Sequence, residues 1–334
     1  MDSTFILVAI VILVALIFDY INGFHDAANA IATIVATRVL TPFQAVAWAA
    51  VWNTAAFFFA GTAVAATVGK GLVDLNKVDT YVILAGLIGA ITWNLLTWWW
   101  GLPSSSTHAL VGGYAGAAIA KAGFAALLWG PKWRDTLLFI VIAPAAGMIM
   151  AYVLMVALFW IFRHSTPRKM DTWFRQLQLV SSALFSFSHG GNDAQKTAGI
   201  ITSVLLTSGY IKEFVVPWEV SLAAYVAIGL GTMSGGWRII KTMGGRLTRL
   251  KPRSGFCAET AAGMVILFAS YLGMSVSTTH TVAGAIAGVG SIQRVKAVRW
   301  GVAANIVWAW VLTIPAAGAV GWISMKILAV FVYR

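Results

Sequence analysis

The chain has 334 residues and a formal net charge of +12, but only 10% of its residues are charged and 60% are hydrophobic. Soluble domains carry about 25% charged residues, so this composition excludes an ordinary water-exposed surface. The basic residues lie in short loops between apolar runs, as they do in the cytoplasmic loops of membrane proteins. This placement argues against nucleic-acid binding.

Apolar runs of about 18 or more residues recur along the chain, and each could cross roughly 30 Å of hydrocarbon as a helix. They lack the short alternating pattern of barrel strands, so the sequence predicts an all-α polytopic membrane protein. The candidate spans are residues 5–21, 27–40, 44–68, 80–100, 137–162, 177–206, 220–234, 255–272 and 297–332. Two further segments, 102–120 and 276–290, begin with hydroxyl residues and are rich in small residues.

The second half of the chain repeats landmarks of the first half in the same order, at separations of 167 to 172 residues. The matched segments are His25-Asp26-Ala27 with Asn192-Asp193-Ala194, residues 102–108 with 276–280, and residues 144–147 with 315–318. These matches divide the chain into a first transmembrane repeat at 1–162, a basic connecting loop at 163–176 and a second transmembrane repeat at 177–334.

Loop charge indicates that the two repeats are inverted. Residues 238–253 include six basic residues, whereas the counterpart segment 69–79 is neutral because two lysines offset two aspartates. Opposite bias in equivalent loops is expected if one half is upside down, with about five net crossings in each half. The N-terminus would then lie outside and the 163–175 loop in the cytoplasm. Two parallel halves with weak loop charge are the alternative.

Two repeat-related aspartates are the leading candidates for functional residues. An ionised aspartate in hydrocarbon is costly unless it is paired or solvated, and Asp26 lies between two apolar runs. Asp26 and Asn29 share a helix face because they are three residues apart. In the second half Lys196 takes the place of Asn29 beside Asp193. This lysine either forms a structural pair, contacts an anion or replaces a bound cation.

Glycines beside both aspartates predict local breaks in the helices. Gly23 precedes Asp26, and Gly190 and Gly191 precede Asp193. Unwound backbone at such points would expose carbonyl groups to cations and helix N-termini to anions. A buried aspartate bonded to a neighbouring helix is the structural alternative.

Hydroxyl-rich segments are the candidates for anion recognition. The two segments are Ser104-Ser105-Ser106-Thr107, which follows Pro103, and Ser277-Thr278-Thr279. Proline favours the start of a helix, where hydroxyls and free N–H groups can bind an oxyanion without a fixed positive charge. Such a site suits a carrier, which must release what it binds. Ordinary helix capping is the alternative, although a cap requires only one hydroxyl.

Four of the five histidines lie in these motifs, namely His25, His108, His189 and His280. They could carry protons or serve as hydrogen-bonded braces. Neither they nor the single Cys257 matches a metal-ligand spacing, and the sequence has no nucleophile–base motif. We therefore expect no resident metal, no cofactor and no enzyme activity. Glu259 is a further intramembrane acid whose role the sequence leaves open.

These motifs resemble those of the inorganic phosphate transporter (PiT) family, in its bacterial low-affinity branch, over nearly the whole chain. The resemblance rests on residues 23–30, residues 188–193 and the two hydroxyl segments. It implies phosphate uptake by secondary transport in the cell membrane. It also implies inverted repeats, two hydroxyl-rich re-entrant or broken hairpins that meet near the membrane centre, and a homodimer.

The resemblance also suggests a set of site residues. The phosphate-binding candidates are Asn29, Ser104, Ser105, Ser106, Thr107, Asn192, Gln195, Ser277, Thr278 and Thr279. The candidates for cation or proton coupling are Asp26, Asp193, Lys196, His25 and His189. Binding of a cation or proton at the aspartates would neutralise buried charge and so favour binding of the anion.

The sequence departs from the sodium-coupled members of the family at two places. Those members typically have Ala-Asn-Asp where this chain has Phe24-His25-Asp26, and they repeat the Asp–Asn pattern where it has Gln195-Lys196. The resemblance therefore favours proton or metal-phosphate symport by alternating access. Sodium coupling, another oxyanion such as sulfate, and a channel are the alternatives. Besides phosphate and membrane lipid, a soluble regulatory protein on the basic cytoplasmic loops is a candidate partner.

Overall fold

The computed structural model describes residues 3–292 and 294–332, and within these ranges the chain forms helices and no β-strand. The helices are α1 Ser3–Ala36, α2 Pro42–Ala55, α3 Ala63–Lys70, α4 Thr80–Trp100, α5 Ser106–Ala122, α6 Pro131–Ile161, α7 Pro167–Thr207, α8 Trp218–Ser234, α9 Trp237–Lys241, α10 Pro252–Tyr271, α11 Thr278–Ser291 and α12 Trp300–Val332. Five of them, α1, α4, α6, α10 and α12, are long and apolar enough to cross a membrane. The prediction of an all-α polytopic fold is confirmed.

Two further spans are bent. The segment Pro42–Phe58 meets α3 at 89°, and α8 meets the segment Trp237–Gly245 at 63°. If each bent pair counts as one crossing, the chain has up to seven candidate spans among its described residues. The predicted single span at 44–68 is therefore a broken one. The predicted connecting loop at 163–176 is short, because α7 already begins at Pro167.

The predicted helix breaks at the glycines are wrong, and so is the division of residues 5–40 into two spans. Helix α1 runs without interruption through Gly23, and α7 runs through Gly190. A Cβ atom on Gly23 would lie 2.2 Å from the carbonyl oxygen of Ile228, and one on Gly190 would lie 2.4 Å from that of Asn53. These glycines therefore allow neighbouring helices to approach closely, and they do not unwind the backbone.

The two halves of the chain interlock through equivalent contacts. The α4–α5 hairpin of the first half packs on α12 of the second, and the α10–α11 hairpin of the second half packs on α6 of the first. In the same way α1 packs on α8 and α2 packs on α7. Glycines such as Gly116 and Gly284 permit these contacts, because Cβ atoms there would lie 2.0 Å and 2.1 Å from carbonyl oxygens of α12 and α6.

The hairpins open at opposite ends of the bundle. At one end Arg175 donates a hydrogen bond to the Arg38 carbonyl at 2.6 Å, and Arg253 at the start of α10 lies 3.9 Å from Asp171. At the other end Asp79, just before α4, pairs with Lys121 at the end of α5. We call the first end the basic end and the second the neutral end. The α10–α11 hairpin opens at the basic end and the α4–α5 hairpin at the neutral end.

Candidate functional site

A polar centre lies where the middles of α1 and α7 meet the N-termini of α5 and α11. All fifteen predicted site residues are buried, and none is more than 5% exposed. The centre is therefore enclosed by the bundle, which places its charges out of contact with lipid. Burial of this many polar groups is tolerated only where they bond to one another or to a ligand.

Asp26 of α1 lies at the middle of this centre. His25 Nδ1 lies 2.7 Å from Asp26 Oδ1, and His189 Nε2 of α7 lies 3.9 Å from Asp26 Oδ2. The hydroxyl of Ser106, at the start of α5, donates to Oδ1 at 3.5 Å, and that of Thr278, at the start of α11, donates to Oδ2 at 3.5 Å. Both hydroxyl segments thus reach the same carboxylate.

Asp193 of α7 shares His189 with Asp26, because His189 Nε2 lies 3.6 Å from Asp193 Oδ2, but its other partners differ. Lys196 Nζ lies 2.6 Å from Asp193 Oδ1, and both side chains are at most 2% exposed. The ammonium also donates to the hydroxyl of Thr107 and, at 3.1 Å, to the carbonyl of Val276. Asn22 donates to the second carboxylate oxygen of Asp193 at 3.3 Å. One lysine therefore links α7 to both hydroxyl segments.

The two hydroxyl segments have the same local geometry. Ser105 caps α5 by accepting a hydrogen bond from the backbone N–H of His108, and Ser277 caps α11 in the same way through His280. The capping interpretation is therefore correct for one serine in each segment. The following hydroxyls are left to face the centre, where Asn29 donates to Thr279 at 2.7 Å. Two helix N-termini, each with its positive dipole end, thus meet at Asp26 in the polar centre.

Three of the predicted residues have side chains committed to other partners. Gln195 accepts from the Val64 N–H at 3.0 Å and donates to the Gly191 carbonyl at 2.6 Å. Asn192 donates to the Ser270 hydroxyl at 2.7 Å. The Ser104 hydroxyl donates to that of Thr97 at 2.8 Å, in a chain that continues to His25. These contacts brace the centre from α3, α10 and α4.

Asp26, His189 and Asp193 form a possible cation site. One ligand atom from each residue lies within 4.8 Å of the others, and all three side chains are buried. His189 Nε2 has no hydrogen-bond partner among the described residues, while its Nδ1 lies 3.1 Å from the Asn53 amide oxygen. Neutral imidazole and carboxylate oxygen are ordinary ligands for divalent metals. The sequence showed no such site because its ligands come from two repeats.

Sequence reasoning missed two residues of this centre, Asn22 and Asp19. With Asp26 and Asn29 they lie on one face of α1 at helical spacing, and this periodic polar stripe was the available signal. Asp19 is 0% exposed, and neither of its carboxylate oxygens has a hydrogen-bond partner within residues 3–292 and 294–332. Thr197 and Lys196 are among its neighbours. It adds a third buried carboxylate to the centre.

Glu259 lies in a separate polar cluster towards the basic end. Thr33 and Ser181 donate to its two carboxylate oxygens, each at 2.5 Å, and Gln178 donates at 3.0 Å. The residue is 0% exposed, but its oxygens are satisfied by α1 and α7. This cluster joins the two long helices of the centre to α10.

Together, the apolar spans, the buried polar centre and the two converging helix N-termini are features of multi-pass membrane transporters. The sequence profile of the phosphate transporter family matches residues 22–173 and 163–321. The chain belongs to this family.

Similar proteins match this chain over nearly its full length. The chain is 52% identical over 323 residues to a "Probable low-affinity inorganic phosphate transporter" of Rhizobium meliloti, covering 96% of each chain. It is 43% identical over 332 residues to a protein of the same name from Bacillus subtilis, covering 98% of this chain and 99% of that one. A solved structure described as "The sodium-dependent phosphate transporter" superposes with a TM-score of 0.89 at 26% identity, covering 97% and 99% of the two chains.

Proposed function

We propose that this transporter imports inorganic phosphate by cation-coupled symport, with a proton or a metal-phosphate complex favoured over sodium. The observation that carries the proposal is the meeting of both hydroxyl segments on Asp26, where Ser106 and Thr278 each donate at 3.5 Å. An anion bound by these hydroxyls would contact the carboxylate directly. Neutralisation of Asp26 and the binding of the anion would therefore favour each other.

The two helix N-termini supply the proposed phosphate site. Backbone N–H groups at the starts of α5 and α11, with the hydroxyls of Ser106, Thr107, Thr278 and Thr279, can satisfy the oxygens of an oxyanion. Sulfate could use the same donors. Phosphate is favoured because it can also donate a proton to a neighbouring carboxylate, and Asp26 lies within reach of these hydroxyls.

The second half of the centre supports the choice of coupling ion. The Lys196 ammonium pairs with Asp193 where the first half has the neutral Asn29. A lysine in that place carries the charge that a bound cation would otherwise supply. Asp26 and His189 remain to bind a proton or a divalent metal that accompanies phosphate. Sodium coupling is the second candidate, because the structural relative at TM-score 0.89 is described as sodium-dependent.

We further propose that the halves are inverted and that the protein lies in the cell membrane with its basic end in the cytoplasm. The opposite openings of the two hairpins and the equivalent contacts of α1–α8 and α2–α7 support inversion. The concentration of lysine and arginine at one end supports the orientation. The halves would rock around the filled centre, and the basic loops would be open to a soluble regulatory protein. A homodimer is expected from the family resemblance.

Uptake of radiolabelled phosphate into proteoliposomes tests the proposal. Proton and sodium gradients are imposed separately, and sulfate is added as a competitor. The Asp26→Asn variant, which should be inactive, is measured beside the parent protein. We expect uptake with a proton gradient alone, saturation at low turnover, and weak competition by sulfate. Uptake that requires sodium would overturn the choice of ion, and normal uptake by Asp26→Asn would overturn the role of the centre.

A further inference from the structure

A basic cavity lies at the basic end of the bundle, away from the polar centre. It has a volume of about 560 Å³ and lies between the segment that precedes α10 and the segment that follows α11. Five cationic side chains line it, namely Arg249, Lys251, Arg253, Lys296 and Arg299. The hydroxyls of Thr248 and Ser254 also line it, and no carboxylate of the described residues does.

The charges in this cavity are poorly compensated. Among the ion pairs of the described residues, only Arg253 has a carboxylate partner, Asp171 at 3.9 Å, and its Nε has no hydrogen-bond acceptor. The repulsion between five clustered cations is relieved when an anion binds among them. Arginine is especially suited to phosphate groups, since its planar guanidinium can donate two parallel hydrogen bonds.

An apolar groove continues from the cavity. Its volume is about 630 Å³, and it shares Gly245, Thr248, Arg249 and Leu250 with the basic cavity. The rest of its wall consists of small and aliphatic residues from the end of α1 and the segment around α9. These residues are Ala32, Val35, Ala36, Ile240 and Gly244. A ligand that fits both spaces has an anionic head and an apolar tail, with Arg249 at the junction.

We infer that this cavity and groove bind an anionic phospholipid, with the phosphate headgroup among the five cations and an acyl chain along the groove. The inference rests on the orientation proposed above, in which the basic end faces the anionic cytoplasmic leaflet. The headgroup would tie the start of α10 to the segment after α11. Both ends of one hydroxyl-bearing hairpin would thus be held by the same lipid.

Lipid binding to the purified full-length protein in neutral detergent tests this inference. Native mass spectrometry gives the dissociation constant of the first bound phosphatidylglycerol and, separately, of phosphatidylcholine. The variants are Arg249→Gln and Arg299→Gln. The control is Arg294→Gln, because Arg294 is an exposed cation of the same loop that does not line the cavity. All three sites lie on exposed loop segments, so folding should be preserved.

We expect phosphatidylglycerol to bind more tightly than phosphatidylcholine. Each cavity variant should raise the dissociation constant of phosphatidylglycerol about fivefold, which is the contribution of one cation near an anionic headgroup. Arg294→Gln should leave this dissociation constant unchanged. Equal losses in all three variants would overturn the site in favour of general charge attraction. Displacement of the lipid by millimolar pyrophosphate would assign the cavity to a soluble phosphate compound. Lipid binding in detergent does not require transport, so its result can be interpreted even if the uptake assay fails.

Discussion

Replacing Lys196 by asparagine gives the second half of the chain the pattern of the first, in which Asp26 is followed by Asn29. In the parent protein the Lys196 ammonium lies 2.6 Å from Asp193 and also donates to Thr107 and the Val276 carbonyl. Lys196→Asn therefore removes the cation of a buried pair and leaves the Asp193 carboxylate uncompensated. It also leaves an amide oxygen beside the space that the ammonium occupied.

The magnitude follows from burial. Removing one partner of a buried ion pair costs about 3–5 kcal/mol, and both side chains here are at most 2% exposed. If a sodium ion can take the place of the ammonium, sodium at 100 times its dissociation constant would restore about 2.7 kcal/mol. We therefore expect the free energy of unfolding of Lys196→Asn to fall by about 3–5 kcal/mol in choline chloride and to recover more than half of that loss in sodium chloride.

Denaturant unfolding of the purified protein in detergent, at equal ionic strength in the two salts, measures this effect. Lys196→Met is the matched control, because it loses the same charge and offers no oxygen ligand. It should lose the same stability and recover none of it in sodium. A parent protein that gains as much from sodium as Lys196→Asn would refute the idea that the lysine stands in place of a cation. A variant whose stability stays within about 0.5 kcal/mol of the parent would also refute it, because removing one partner of a buried ion pair costs more than that.

Three further predictions concern other parts of the centre and its packing. Asp19→Asn should change the free energy of unfolding by less than about 1 kcal/mol, because it exchanges one buried polar side chain for another of the same shape, and the Asp19 oxygens have no hydrogen-bond partner among the described residues. A loss of about 3 kcal/mol, as for a broken buried ion pair, would contradict this. Gly116→Ala should lower the free energy of unfolding by about 1–3 kcal/mol through overpacking. Gly61→Ala should be neutral, because apart from its chain neighbours no atom of the described residues lies within 4 Å of the added Cβ. Ser106→Ala should raise the KM for phosphate about tenfold, because it loses a hydrogen bond to a charged group, whereas Ser104→Ala should change the KM less. Equal effects of the two variants in uptake assays would refute phosphate binding by Ser106.

The helices that the sequence predicted best are those bounded by strong local signals. The predicted span at 80–100 coincides with α4, because Asp79 caps its start and Gly101, at φ +68°, ends it. The span at 220–234 likewise matches α8 within two residues at its start. Apolar length and capping chemistry are local properties, so a single sequence contains them.

The course of the backbone at Gly23 could not be predicted in the same way. A glycine beside an intramembrane aspartate is compatible either with an unwound helix or with a close neighbour. Contact with Ile228, which is more than 200 residues away in the chain, decides for the close neighbour. The prediction of a break was therefore wrong for a reason that local sequence does not contain, because only tertiary packing separates the two interpretations.

Some residues of the polar centre could be predicted from the sequence repeat. Matching the halves points to Asp26 and Asp193, and the structure brings both to one enclosed centre. The direction of each side chain was not accessible, because it depends on which helix face meets which neighbour. Gln195 therefore bonds to α3, while Asn22, which the sequence motifs did not indicate, contacts Asp193. Ligand binding by these residues stays a prediction.

An experimental structure of the protein with phosphate bound, determined by electron microscopy in a lipid nanodisc, tests the proposed phosphate site directly. We expect phosphate density between the N-termini of α5 and α11, within hydrogen-bond distance of Ser106, Thr107, Thr278 and Thr279. Phosphate density found only elsewhere, for example in the basic cavity beside Arg249, with the two helix N-termini bonded solely to protein, would contradict it.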